Sequence, residues 1–248
     1  MTYILLVAGK GTRLHPLTLT YPKCLFKLDE NVTTISRIVN QINKYDGNAE
    51  IVLVTGFMDD TIRSIVGDSV IYVHNPFYSL TNSIASLWFA RDYLNREQVT
   101  IINGDMVMSD DAVKDVICKK SDRPVILLDS SIKSAGDYNV EVDEDLVVVM
   151  SKNLSNYYGE YAGITILDEK AGRDMIIVLE DMMQEELFGE WYEDVVVRMI
   201  FRNNYNFFYA DICNYEWTEI DSVDDLRKAK RIHSRNAGML CSGLRDMT

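Results

Sequence analysis

Residues near the start of the chain could bind the phosphates of a nucleotide. Gly9 and Gly11 follow a short apolar run at residues 3–8, and glycines let the backbone approach a ligand and point N–H groups at it. Arg13 adds a planar set of donors that match phosphate oxygens, and Lys23 adds a second positive charge. Glycines at this spacing after a strand are also common in tight turns, so the loop alone permits a phosphate site without requiring one.

This glycine loop differs from two common nucleotide-binding motifs. It lacks the Gly-Lys-Ser/Thr of the P-loop, and it lacks the G-x-G-x-x-G spacing of dinucleotide-binding proteins. If the loop holds a nucleotide, we expect contacts from six consecutive residues: Val7, Ala8, Gly9, Lys10, Gly11 and Thr12.

A carboxylate at the end of a predicted strand could bind a metal ion. The apolar run at residues 99–103 stops at Gly104 and Asp105. Ligands of open α/β sheets bind at the carboxyl ends of the strands, which places Asp105 well for Mg²⁺, an ion that prefers oxygen ligands. The alternative is an aspartate that only ends a turn or caps a helix.

Strands and helices alternate through the first half of the chain and would position these groups. Apolar runs predict strands at residues 3–8, 50–55, 70–74, 99–103 and 124–129. Helical spacing predicts helices at residues 33–45, 59–66, 83–94 and 110–119. Such alternation predicts an α/β fold with a mostly parallel sheet and helices on both faces.

The pattern changes after about residue 130. We predict a hairpin at residues 140–151, strands at 162–167 and 207–211, and helices at 173–184, 191–201 and 222–234, the last capped by Ser222. We therefore expect a single domain over residues 1–248, with a core at 1–130. The remainder, 131–248, would be a small α+β subdomain with a closing helix.

Composition excludes several classes of function. Lys and Arg total 25 against 38 Asp and Glu, and a net charge of −13 is unsuited to nucleic acid or anionic membranes. The cysteines Cys24, Cys118, Cys213 and Cys241 lie too far apart for a structural zinc site. The chain shows neither a signal-peptide pattern nor an apolar run of about 20 residues, so we expect a cytoplasmic protein with reduced thiols.

One string of motifs is far more specific than the glycines alone. Residues 8–14 read Ala-Gly-Lys-Gly-Thr-Arg-Leu, and Pro-Leu-Thr at 16–18 and Pro-Lys at 22–23 follow. This string resembles the signature of the nucleotidyltransferases that act on sugar phosphates and alcohol phosphates. It departs from the signature only at Val7, where that family usually has alanine. The resemblance implies a Rossmann-like core and Mg²⁺ bound by Asp105.

The resemblance extends to a second acidic segment. Residues 219–221 read Glu-Ile-Asp and are similar to the corresponding segment of the family, which implies that Asp221 is the second metal ligand. Glu219 is a weaker candidate, because alternation along an extended segment would put it on the same face as Asp221. The alternative for Asp221 is a helix cap beside Ser222.

The reaction implied by this resemblance is attack on the α-phosphorus of a nucleoside triphosphate, with pyrophosphate leaving. The attacking oxygen of a phosphate or phosphonate monoester is already anionic, so the reaction needs no general base. Positioning and charge neutralisation would supply catalysis, with Arg13 and Lys23 as the catalytic cations.

Residues 75–87 bear on the choice of base. Asn-x-x-Tyr at 75–78 and Asn-Ser-x-x-Ser-Leu at 82–87 resemble the cytidylyltransferases that activate phosphocholine or 2-aminoethylphosphonate. The Gln-Pro-x-Gly-Leu segment that is typical of the sugar-phosphate enzymes is absent here. The resemblance therefore implies CTP, with Thr81, Asn82 and Ser86 near the cytosine or its ribose.

The acceptor pocket should come from the second half of the chain. Aromatic rings and carboxylates suit an ammonium group, and a lysine suits the acceptor's phosphate. The candidates are Lys152, Tyr161, Gly163, Trp191, Glu193 and Asp194. An equally open reading is that these aromatic residues make surface or dimer contacts.

Two other functions compete with the cytidylyltransferase hypothesis. One is a sugar-1-phosphate nucleotidyltransferase that uses dTTP or UTP. The other is a non-catalytic relative that only binds nucleotide, but the presence of Arg13, Lys23, Asp105 and Asp221 argues against it. The resemblance also implies a possible homodimer and a pathway that decorates a cell-surface polymer.

Overall fold

The computed structural model describes residues 1–132 and 138–243, with side chains described as far as residue 235 in the last helix. The strands are β1 (Thr2–Leu6), β2 (Glu50–Thr55), β3 (Ile71–His74), β4 (Gln98–Asn103), β5 (Met106–Met108), β6 (Val125–Asp129), β7 (Asn139–Asp143), β8 (Leu146–Ser151), β9 (Gly159–Asp168), β10 (Phe208–Asp211) and β11 (Trp217–Glu219). The helices are α1 (Thr34–Tyr45), α2 (Asp59–Val66), α3 (Ser83–Phe89), α4 (Asp110–Ala112), α5 (Glu169–Gln184), α6 (Glu193–Asn203) and α7 (Val223–Gly243).

The described residues form one nine-stranded sheet in the order β3-β2-β1-β4-β9-β6-β10-β8-β7. The four strands β3, β2, β1 and β4 pair in parallel, as do β6 and β10. The predicted α/β fold is confirmed, but parallel pairing dominates only in its first half. Strand β9 runs antiparallel to β4, β6 and β7, which ends the parallel arrangement of the first half.

Two apolar clusters cover the two faces of this sheet, because successive side chains of a strand point to opposite faces. In β1, Tyr3 and Leu5 pack with the apolar face of α1, whereas Ile4 packs with residues of α3, α5 and α6. Helix α1 begins at a capping box, in which Thr33 Oγ1 accepts from the Ser36 amide at 3.2 Å. Helices on both faces match the prediction.

A two-stranded antiparallel ribbon of β5 and β11 lies apart from the main sheet. Glu219 of β11 pairs with Met106 of β5, and the Ile220 amide donates to the Asp105 carbonyl at 3.2 Å. The sequence pattern did not predict β5, because a three-residue strand shows too little alternation to be recognised. The ribbon brings two acidic segments together that are more than a hundred residues apart in sequence.

Several boundaries differ from the predicted ones. Helix α3 ends at Phe89 and a 3₁₀ turn follows at Arg91–Tyr93, whereas α4 continues as a π-helical turn at Val113–Ile117. Ser222 does cap α7, since its Oγ accepts from the Asp225 amide at 3.2 Å while Asp225 Oδ2 accepts from the Ser222 amide at 2.8 Å. Within the described residues, no helix has the length and apolar character needed to cross a membrane.

Candidate active site

A cleft of about 450 Å³ opens at the carboxyl ends of β1 and β4. It lies at the edge of the sheet where α/β proteins bind their ligands. The predicted site residues that line it are Val7, Ala8, Gly9, Lys10, Gly11, Thr12, Arg13, Lys23, Thr81, Asn82, Ser86, Gly104, Asp105, Trp191, Glu193 and Asp221. Glu219, the weaker metal candidate, lines it too.

The glycine loop is held in a fixed shape by its neighbours. Gly11 has φ = 63°, a conformation that favours glycine, and its carbonyl accepts from Thr18 Oγ1 at 2.7 Å. A Cβ on Gly11 would lie 2.6 Å from Cγ of Lys23, so glycine also makes room for that side chain. The loop and Lys23 therefore form one packed unit at the cleft wall.

Three carboxylates meet opposite this loop. Ligand oxygens of Asp105, Glu219 and Asp221 all lie within 4.8 Å of one another. Lys23 Nζ lies between two of these side chains, 2.8 Å from Asp105 Oδ2 and 2.7 Å from Asp221 Oδ1. Arg13 donates to Asp221 Oδ2 at 3.0 Å. The predicted catalytic cations and the predicted metal ligands thus converge on one point.

The electrostatics of this cluster keep Lys23 charged. Burial alone would lower its pKa, but Asp105 and Asp221 together raise the pKa above its ordinary value. Two cations facing three carboxylates leave a local excess of one negative charge. Three hard oxygen donors in reach of one another fit the ligand preference of Mg²⁺, so the donor set is suited to the expected metal.

Trp191, a predicted acceptor contact, lines the cleft and packs against two cations. Lys152 Nζ lies 3.7 Å from the centroid of its ring and 5.0 Å from that of Tyr138. Arg13 Cζ lies 5.6 Å from the Trp191 centroid. These are cation–π distances, so the Trp191 ring interacts with both Arg13 and Lys152.

Glu193 lies at the base of the same wall with only 2% of its surface exposed. Its Oε1 accepts from Asn103 Nδ2 at 3.2 Å, and its Oε2 has no hydrogen-bond partner among the described residues. Burial raises the pKa of Glu193 to about 7. An uncompensated buried carboxylate beside a cleft is suited to a ligand that brings a positive charge or a donor.

The protein-family model for nucleotidyl transferases matches residues 2–149, more than half of the chain. The chain belongs to the nucleotidyl transferase family. The glycine loop, Lys23 and Asp105 all fall within the matched segment, whereas Glu219 and Asp221 lie beyond it.

Sequence relatives of this nucleotidyl transferase include CMP-5'-(3-aminopropyl)phosphonate synthase of Streptomyces rubellomurinus, 24% identical over 240 residues, or 91% of this chain and 38% of that protein. Another is CTP:phosphoglutamine cytidylyltransferase of Campylobacter jejuni, 28% identical over 134 residues, or 51% of this chain and 52% of that protein. The chain thus aligns with 38% to 52% of the length of the curated relatives it matches.

The fold of this nucleotidyl transferase is shared with solved structures. That of CTP:phosphocholine cytidylyltransferase from Streptococcus pneumoniae matches with a TM-score of 0.74 and 19% identity, over 93% of this chain and 98% of that one. Structures named as a glucose-1-phosphate thymidylyltransferase and a UDP-glucose pyrophosphorylase match with TM-scores of 0.72 and 0.75. The fold alone therefore does not distinguish cytidylyl transfer from sugar-nucleotide synthesis.

Four predicted acceptor contacts lie outside the cleft wall. Lys152 does not line the cleft, but its ammonium lies over the ring of Trp191, which does. Asp194 Oδ2 accepts a hydrogen bond from the Trp191 amide at 3.0 Å. Tyr161 is buried, with its hydroxyl 2.8 Å from Thr165 Oγ1 and in a very short contact with the Tyr192 hydroxyl. Gly163 has φ = 67° inside β9, and a Cβ there would lie 3.1 Å from the Asn103 amide nitrogen. In the structure Asp194 therefore makes a capping contact, and Tyr161 and Gly163 make packing contacts.

Sequence reasoning gave no site role to several residues that line the cleft, among them Asn103 and Tyr78. Asn103 is the last residue of β4 and donates to Glu193. Its position at the carboxyl end of a predicted strand could have indicated a ligand contact. Tyr78 packs against Gly56, and Lys10 Nζ lies 5.7 Å from the centroid of its ring. No local pattern indicates the Tyr78 contact, because Gly56 belongs to a different loop.

Proposed function

We propose that this nucleotidyl transferase is a cytidylyltransferase that transfers CMP from CTP to a small phosphate or phosphonate monoester and releases pyrophosphate. The observation that carries the proposal is the convergence of Arg13 and Lys23 with the acidic trio (Asp105, Glu219 and Asp221) beside the glycine loop. Phosphoryl chemistry depends mainly on positioning and charge neutralisation, and these residues supply both.

In the proposed reaction, an anionic oxygen of the acceptor attacks the α-phosphorus of CTP. A new P–O bond forms there, and the bond from the α-phosphorus to the oxygen shared with the β-phosphorus breaks. The electron pair leaves with pyrophosphate, and no proton has to be removed from the nucleophile. Arg13 and Lys23 would stabilise the charge that accumulates on the phosphates, each contributing a few kcal/mol of transition-state stabilisation.

The acidic trio would hold Mg²⁺, with Asp105 and Asp221 as the principal ligands and Glu219 as a third. The chemistry that Mg²⁺ supplies when bound is neutralisation of negative charge on the phosphate oxygens. Lys23 contacts both aspartates directly, so it is close enough to act on the same phosphates.

CTP is favoured over UTP and dTTP by two similarities in sequence. Residues 75–87 resemble the cytidylyltransferase pattern, and relatives with CMP or CTP in their names match by sequence. We place Thr81, Asn82 and Ser86 at the base or ribose, since they line the cleft at the beginning of α3.

The acceptor would bind between Lys152 and Glu193. Lys152 would bind the acceptor's phosphate or phosphonate, and Glu193 would bind an amino group at the other end of the acceptor. The ring of Trp191 already has the Lys152 ammonium over it, which leaves Glu193 as the stronger attraction for a substrate cation. Aminoalkyl phosphonates, phosphocholine and phosphorylated amino acids all combine the two charges that such a site requires.

Finer expectations from the sequence remain part of this proposal. They are a cytoplasmic enzyme, a homodimer, and a product used to decorate a cell-surface polymer. The oligomeric state can be measured directly by light scattering during size-exclusion chromatography.

The test is a panel of nucleoside triphosphates and acceptors read by pyrophosphate release. We expect release with CTP plus an aminoalkyl phosphonate, phosphocholine or a phosphorylated amino acid, and none when Mg²⁺ is chelated. Release with glucose 1-phosphate plus UTP or dTTP, and none with CTP, would establish the sugar-nucleotide alternative instead. Binding of nucleotide without release for any pair would indicate a non-catalytic relative.

A further inference from the structure

A buried asparagine lies behind the proposed base pocket and has no role in the reaction so far described. Asn75 follows β3 and is 0% exposed. Its backbone N–H donates to the Thr55 carbonyl at 2.8 Å, and its Oδ1 accepts from the Phe77 amide at 2.9 Å. Because Oδ1 is engaged by an N–H donor, the orientation of the side-chain amide is fixed, and Nδ2 must face the opposite side.

On that opposite side Nδ2 of Asn75 donates to two hydroxyls that line the cleft. The distances are 3.0 Å to Ser86 Oγ and 3.3 Å to Thr81 Oγ1. Thr81 uses its own proton, since Oγ1 donates to the Phe77 carbonyl at 2.9 Å. Ser86 differs, because among the described residues its hydroxyl has only the bond from Asn75, and the side chain is 4% exposed.

The proton of Ser86 is therefore available to an acceptor on a ligand in the cleft. A hydroxyl has one proton and two lone pairs, and the Asn75 amide occupies one of those lone pairs. A buried donor that stays unsatisfied destabilises the complex that leaves it so. N3 of cytosine accepts a hydrogen bond, whereas N3 of uracil and thymine carries a hydrogen and donates.

We propose that Asn75 is a positioning residue that presents the Ser86 hydroxyl as a donor to the base, and so selects cytosine over uracil and thymine. This inference rests on the proposed function, because it assumes that the base binds beside α3. It adds to that function a physical source of base selection: the direction of one buried hydrogen bond, set by a residue that does not itself line the cleft.

The experiment compares kcat/KM for CTP and for UTP, with one fixed acceptor at pH 8, in wild type and three variants. Ser86→Ala should lower kcat/KM for CTP by about 10- to 100-fold and change that for UTP by less than about 3-fold. Asn75→Asp keeps an oxygen for the Phe77 amide but replaces the donor with an acceptor, so the Ser86 proton should turn away from the base. The ratio of kcat/KM for CTP to kcat/KM for UTP should then fall by about 10-fold. In the double variant, Asn75→Asp should not change this ratio beyond the effect of Ser86→Ala.

A control outside the cleft lining is Ser109→Ala, whose Oγ accepts from the Ala112 amide at 3.3 Å. A structural loss of this kind should affect both nucleotides alike and leave the ratio unchanged. An equal loss for CTP and UTP in Ser86→Ala would overturn the inference, as would a ratio that responds to Asn75→Asp in the absence of Ser86. If Asn75→Asp does not fold, the ratio measured with Ser86→Ala decides alone.

Wild type separates failure of this inference from failure of the proposed function. A wild-type enzyme that prefers UTP or dTTP contradicts the proposed function before any variant is made. A wild-type enzyme that prefers CTP, together with an unchanged ratio in Ser86→Ala, leaves the function intact and rejects only the role of Asn75 and Ser86.

Discussion

The two ends of the cleft are built in different ways. At the proposed nucleotide end, one loop of consecutive residues lines the cleft, and Gly11 gives that loop both its left-handed turn and its room for Lys23. At the acceptor end, the side chains come from separate elements and contact one another, as Lys152 does with Trp191 and Asn103 with Glu193. A local motif can reveal the first kind of site, whereas the second kind becomes visible only in three dimensions.

The largest expected effect tests the nucleotide end. Asp105→Asn removes a proposed metal ligand and a partner of Lys23, so we expect turnover to fall by a factor of about 10³ or more while the fold persists. Pyrophosphate release gives the activity, and thermal unfolding confirms the fold.

The matched substitution is Asp194→Asn, a carboxylate that caps the Trp191 amide on the acceptor side. We expect it to retain activity within about 5-fold, because asparagine keeps a side-chain oxygen that can accept from the Trp191 amide. Unchanged turnover in Asp105→Asn would show that the metal assignment is wrong.

The same division explains how much the sequence could predict. The glycine loop, Arg13 and Asp105 follow strand ends, and strand ends were identifiable from short apolar runs. The meeting of Asp105 with Asp221 depends on the β5–β11 ribbon, whose short strands carry no detectable pattern, so only the family resemblance indicated that pair.

At the proposed acceptor end, residue type alone was a poor guide to which side chains line the cleft. Tyr161 and Trp191 are both aromatic residues of the second half, yet Tyr161 is buried under the wall and Trp191 lines the cleft. The difference arises from β9, whose antiparallel placement between β4 and β6 buries its side chains on both faces. No periodicity within β9 indicates where in the sheet that strand lies.

A smaller effect should distinguish binding of the acceptor from binding of CTP. Lys152→Met removes the cation that we assign to the acceptor's phosphate but keeps much of the packing against Trp191. We expect KM for the acceptor to rise about 10- to 50-fold, with KM for CTP changed by less than about 3-fold, because a charge-assisted hydrogen bond contributes about 1.5–3 kcal/mol. Lys170→Met, an exposed lysine of α5, serves as the control. A matching rise in KM for CTP would mean that Lys152 belongs to the nucleotide end.

Glu193 gives the acceptor end a dependence on pH that can be measured as stability. Its folded pKa of about 7 is raised above that of an ordinary glutamate by burial, so between pH 4.5 and 7 the folded state binds more protons than the unfolded state. Free energy of unfolding therefore falls as pH rises through this window, by an amount on the order of 2–3 kcal/mol.

Glu193→Gln removes the titration, and the variant should be more stable than wild type at pH 8 with little difference at pH 4.5. Urea unfolding of both proteins across this range measures the effect. A stability difference that stays constant with pH would mean that Glu193 is ionised in the folded protein even without a substrate cation.

The smallest effect concerns Tyr161, which the sequence indicated as an acceptor contact and which the structure places below the cleft wall. Tyr161→Phe removes a buried hydroxyl that contacts Thr165 and Tyr192, so we expect a loss of about 1–2 kcal/mol in the free energy of unfolding. The acceptor KM should stay within about 2-fold of wild type. Tyr192→Phe removes the other end of the same contact, and the double variant should lose less than the sum of the two single losses. A 10-fold rise in acceptor KM in Tyr161→Phe would extend the acceptor site into the β9 layer, because a side chain with a purely internal role has no reason to change it.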